Sequence, residues 1–175
     1  MKIIKDDCIY VQLNDVAYAS CIYPQGENNT QLPKMMNELL YGGATILEIN
    51  TSNQYDFVKF SDKETIEFFK QMDDILDYDK VKDFTPESIL GLADGLFSSL
   101  QIINLTKNSF GINESVEDIK NTNRLMHQYQ SLMKFYLFLN DEVEMQLPEG
   151  IETPTHYKKQ NQMSKWFKSL HKNAK

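Results

Sequence analysis

Carboxylates dominate the side chains that could do chemistry in this 175-residue chain, with 25 Asp and Glu against 18 Lys and Arg. The densest run is Asp73, Asp74, Asp77, Asp79 and Asp83. It lacks the central glycine and closing glutamate of a calcium loop. A solvated helix end is the plain reading of such a run. A decoy imitating a phosphate backbone is the sharper one. A second pattern, Glu64-x-x-Glu67, puts two carboxylates on one helical face, and Glu87 and Asp94 follow on the next helix. Carboxylates facing each other across a helix pair can hold Mg²⁺.

The remaining reactive types are few. Cys8 and Cys21 are too few for a disulfide framework. If residues 8–13 and 16–23 form a tight hairpin around Asn14-Asp15, the two thiols fall opposite each other at disulfide range. That spacing offers a redox-switchable cross-strand bond, beside the plain reading of two reduced, small apolar residues. His127, His156 and His171 have no metal-ligand spacing, and no phosphate loop or nucleophile elbow occurs. No catalytic residue, metal ligand or cofactor is assigned on these grounds.

One local run has a family likeness. Gly91-Leu92-Ala93-Asp94 resembles the second motif of the all-α nucleotide pyrophosphohydrolases. The resemblance covers about a fifth of the chain and implies a Mg²⁺-dependent enzyme acting on nucleotides. This sequence departs from the family where it carries Gly91, since those enzymes have glutamate there. A ligand the hard cation needs is therefore missing. The β-rich N-terminal residues also do not suit an all-α fold.

The elements that would position these residues follow from periodicity and punctuation. Besides the first hairpin, 44–50 and 54–60 read as a second one. Residues 31–41 suggest a short helix closed by Gly42-Gly43. Ser61 and Glu64 have capping-box form and start a helix from 62 to about 77. Thr85-Pro86-Glu87 starts another, to about 107, apolar around most of its circumference and so expected to be the central core helix. Within it Gly91, Gly95 and Ser99 recur every fourth residue, a pattern of close helix packing. Ser115 caps a helix to about 146, and the short intervening loop favours an antiparallel pair. Strands first and helices later give an α+β fold: an antiparallel sheet from two N-terminal β-hairpins, packed by three to four C-terminal helices.

Charge divides the chain. Residues 151–175 carry six lysines against one glutamate, whereas residues 1–150 carry 12 basic and 24 acidic side chains. We read 1–150 as a single acidic domain and 151–175 as a basic amphipathic tail helix behind a linker at Pro148-Glu149-Gly150. Met163, Trp166, Phe167 and Leu170 share one helical face, with Tyr157 before them and Lys165 and Lys168 on the flanks. Aromatic anchors ringed by charge are what binding hot spots look like.

The expected function is a non-catalytic protein-binding module of inhibitor, immunity, adaptor or assembly-chaperone type. Its partner would be another protein or a second copy of itself. The body's negative charge and the single arginine, Arg124, argue against direct nucleic-acid binding. The chain opens Met-Lys-Ile-Ile-Lys-Asp-Asp, without an apolar leader. No run of 18 uncharged apolar residues occurs, so a transmembrane segment is not expected and a cytoplasmic location is.

Overall fold

The first reversal of the chain is set by Asp6 and Asp7, both in the left-handed region with φ of 50° and 57°. Two consecutive positive φ values are what a two-residue type I′ hairpin turn requires, and aspartate tolerates them better than most residues. The turn joins β1 (Lys2–Lys5) to β2 (Cys8–Gln12), paired from Lys5↔Cys8 to Lys2↔Val11. A third strand, β3 (Phe57–Phe60), adds antiparallel to the other edge of β2, giving the order β1-β2-β3. The computed structural model describes residues 1–23, 33, 56–111, 113–158 and 166. The expected helix at 31–41 and strand at 44–50 lie outside them.

The chain is thus α+β, with one correction at the start. Residues 16–23 are not the second arm of a hairpin. They belong to helix α1 (Leu13–Ile22), which begins directly after β2. Val16, Ala19 and Ile22 are buried at intervals of three, a helical spacing that an alternating reading hides. Asp15 faces inward on that helix and is not a turn residue. The proposed Cys8–Cys21 pair dissolves with the hairpin. Cys8 stands opposite Lys5 in the sheet, Cys21 is exposed on α1, and both are free thiols.

Later helices start where local chemistry places them. Helix α2 (Lys63–Gln71) is capped by Asp62, one residue beyond the expected Ser61, whose Oδ1 accepts from the Thr65 amide at 2.8 Å. Asp77 caps the one-turn α3 (Tyr78–Val81). Helix α4 (Pro86–Phe110) has its Thr85 cap and Pro86 in the first turn, and it ends on Gly111 at φ 58°. Helix α5 (Val116–Leu139) opens on a reciprocal box between Ser115 and Asp118. The Ser115 hydroxyl and amide hold the Asp118 carboxyl below its ordinary range. The helix stops short of 146 because Asn140 closes it and Asp141 turns left-handed at φ 62°. Helices α4 and α5 run antiparallel, since Phe97 meets Tyr129 while Lys107 reaches back to Thr122.

Alternate residues of the sheet feed two apolar clusters. Ile9, Val11, Val58 and Phe60 join Val16 and Ala19 of α1 and Ile66 and Phe69 of α2. Met1, Ile3 and Phe57 join Ile89 and Ala93 of α4 and Phe135, Phe138 and Leu139 of α5. The outer edge of β1 is shielded where the Lys2 amide bonds the Leu76 carbonyl at 2.8 Å. The buried Lys2 ammonium donates to the carbonyls of Phe69, Lys70 and Met72 at the end of α2. A cation at a helix C-terminus satisfies carbonyls that have no intrahelical partner.

Residues 151–158 pack onto this body. Ile151 and Tyr157 contact the second cluster, and Tyr157 stacks on Phe138 with ring centroids 4.3 Å apart. The Tyr78 hydroxyl donates to the Glu152 carbonyl, and burial pushes its pKa up to about 12. Lys5 reaches the Gly150 carbonyl at 3.1 Å.

Candidate functional site

Helix α4 presents the least expected surface of the molecule. Its buried residues are Pro86, Ile89, Ala93 and Leu100 only. It is therefore not the central core helix that its composition suggests. Leu92, Phe97, Ile102, Leu105 and Phe110 are exposed, the last three at 64%, 66% and 75%. On the neighbouring helix Ile119 and Met126 are exposed as well. By length and composition alone α4 is apolar enough to cross a membrane, and unlike the core helix of a compact domain it is mostly unburied. Isolated exposed apolar residues are ordinary, but here several stand along two adjoining helices.

Beside the N-terminal half of α4 lies an apolar groove of about 430 Å³. Gly91, Gly95 and Ser99 line it from α4, Gln128 and Leu132 from α5, and Leu76, Val81 and the acidic pair Asp73 and Asp74 complete the lining. A Cβ added at Gly91 or Gly95 would meet nothing within 4 Å. The expectation that these small residues mark close packing within the chain is corrected here: they open a trough to solvent.

A second constellation sits between α1 and α5, and sequence reasoning missed it. Asp15 and Tyr18 face Arg124 and His127, two pairs each three residues apart. His127 Nε2 lies 2.7 Å from Asp15 Oδ1, and the Met1 amine pairs with the same carboxylate. The Tyr18 and His127 rings stack at 3.7 Å. Arg124 Nε pairs with Asp74 Oδ1 at 2.9 Å. Burial, with the Met1 amine nearby, lowers His127 to about 4, so the ring is neutral at neutral pH. Burial pushes the Tyr18 hydroxyl and the Asp74 carboxyl upward. Asp15 with His127 and the Met1 amine, and Asp74 with Arg124, answer one another, which is the pattern of a structural junction, while the buried Tyr18 hydroxyl has no hydrogen-bond partner among the described residues. The signal that could have revealed it is the matched three-residue spacing on two helices.

The other predicted site residues scatter. Of the acidic run, Asp74 is buried on Arg124, Asp77 caps α3, and Asp79 pairs with Lys82 at 3.0 Å. Asp73 and Asp83 are exposed. Glu67 pairs with Lys70 on the surface, and Glu64, Glu87 and Asp94 are exposed. Among the described residues no three His, Cys, Asp or Glu side chains gather to hold a metal ion. In the tail, Tyr157 is half-buried on Phe138 and Trp166 is helical and 58% exposed. Met163, Lys165, Phe167, Lys168 and Leu170 lie outside the described residues.

Compared with protein-family models, curated proteins and solved structures, the chain matches none.

Proposed function

We propose that the chain is a non-catalytic protein-binding module whose contact surface is the outer face of α4 and the groove beside it. The observation that carries this reading is the exposure of Ile102, Leu105 and Phe110 on a helix otherwise apolar enough to be core. Leaving large apolar side chains in water forgoes about 25 cal/mol per Å² of stabilisation, which a partner would recover on docking. The buried charged groups near α1 already have partners within the chain, which supports a structural role for them. The lysine-rich end of the chain, carrying Trp166, is opposite in charge to the body.

Affinity capture tests the reading. Ile102→Asp combined with Leu105→Asp changes side chains that stand in solvent, so folding is expected to survive. Proteins held by the native chain should be lost from the double variant. If the variant retains the same set, α4 is not the contact surface.

A further inference from the structure

Resting on that reading, we infer that the occupant of the α4 face is a second copy of this chain, packed antiparallel across a two-fold axis near Ser98. Gly91, Gly95, Ser98, Ile102 and Leu105 are all exposed and recur at alternating spacings of four and three residues. That is the period of a helix–helix seam. The seam is small at its N-terminal end and large at its C-terminal end. A two-fold passing midway between Ser98 and Ser99 lays Ile102 of one copy against Gly95 of the other, and Leu105 against Leu92 at the mouth of the groove beside Gly91. Each copy then offers both the trough and the side chains that fill it, as an isologous contact demands. Parallel pairing would instead set glycine on glycine and leave the trough empty.

Charge points the same way. The chain carries a net −7, which should keep copies apart. Between Glu87 and Lys107, however, α4 has only one charged residue, Asp94, and it lies to the side of the seam. In the antiparallel arrangement the two Asp94 carboxylates are offset by nine residues, about 13 Å, which exceeds the screening length in physiological salt. Area is also sufficient. A helix of 25 residues is about 37 Å long, and a band two helices wide presents about 750 Å² per partner, near the ~800 Å² of a standard interface.

Analytical ultracentrifugation of the full chain over a concentration series tests this. The expected result is a reversible dimer whose association constant falls about tenfold or more in Ile102→Asp and in Gly95→Leu. Gly95→Leu is the sharper variant, because a Cβ there meets nothing within 4 Å in the monomer while the added side chain takes the space the mate's Ile102 would fill. Circular dichroism should be unchanged in both. In a Cys8→Ser, Cys21→Ser background, Ser98→Cys should be linked into a covalent dimer by a short bis-maleimide, and Lys63→Cys should not. A dimer indifferent to both α4 variants, or one that Ser98→Cys does not capture, overturns the inference. So does a monomer that partitions into lipid vesicles through α4. A monomer that binds an apolar dye, and loses it in Ile102→Asp, overturns self-pairing while the protein-binding reading stands. A monomer that binds no dye defeats both.

Discussion

The sheet with α1 and α2 differs from the outer face of α4 in what each leaves unfinished. In the first region even charged groups are enclosed and answered: Lys2 by three carbonyls, Asp15 by His127 and the Met1 amine, Asp74 by Arg124. On the second, large apolar side chains face water beside a groove whose α4 wall includes Gly91, Gly95 and Ser99. Burying a polar group demands a partner within the fold, because an unanswered one costs about 1–3 kcal/mol or more. Exposing an apolar group costs less and can be reversed by association. The contrast separates what the fold completes alone from what it offers to another molecule.

Truncation should expose that contrast most strongly. Phe69 is fully buried, and Phe69→Ala is expected to lose about 4 kcal/mol in urea unfolding. Asp15→Ala should lose about 3 kcal/mol by leaving His127 and the Met1 amine without their shared acceptor. A wild-type stability for Asp15→Ala would mean that the junction between α1 and α5 is not holding the two together. Acid should act on the same junction. His127 titrates near 4 in the fold and near 6.5 when unfolded, so the unfolded chain takes up the proton first. Its contribution is complete above pH 6.5 and is lost as pH falls toward 4. His127→Gln should flatten that part of the melting-temperature profile. On the open face the signs change. Gly95→Ala, measured in dilute protein, should stabilise by up to about 1 kcal/mol through helix propensity, since the added methyl meets nothing. Leu105→Ala should shift stability by less than about 0.5 kcal/mol in the same conditions.

Features decided within a few residues were legible in the sequence. Thr85 with Pro86, and Ser115 with Asp118, mark helix starts because a cap and its amides are near neighbours. Asp62 displaced Ser61 as a cap by one position, since either oxygen suits the role. Residues 13–22 mislead because two periods coexist there. Leu13, Val16, Tyr18 and Ile22 look β-like, while Val16, Ala19 and Ile22 repeat every three. Contacts made far along the chain decided between them, Asp15 with His127 above all. The true turn, Asp6-Asp7, lacks glycine as Asn14-Asp15 does, so turn chemistry alone does not choose between them. Helix α4 shows a different limit. Its apolar circumference announces that something should cover it, but composition does not tell a cover within the chain from one outside it. The predicted tail face rests on Met163, Phe167 and Leu170, beyond the described residues, and only Tyr157 and Trp166 of it have a place in the fold described here.

Lys2 carries one more consequence. Its ammonium lies against the last turn of α2, 4% exposed, and burial lowers its proton affinity below that of an ordinary lysine. A lowered pKa leaves a larger fraction of the amine unprotonated at a given pH, yet no acylating reagent can reach it while β1 and α2 stay together. Its reaction with such a reagent therefore waits on separation of the first strand from that helix, and the extent of labelling at this single side chain becomes a clock for how often the body opens.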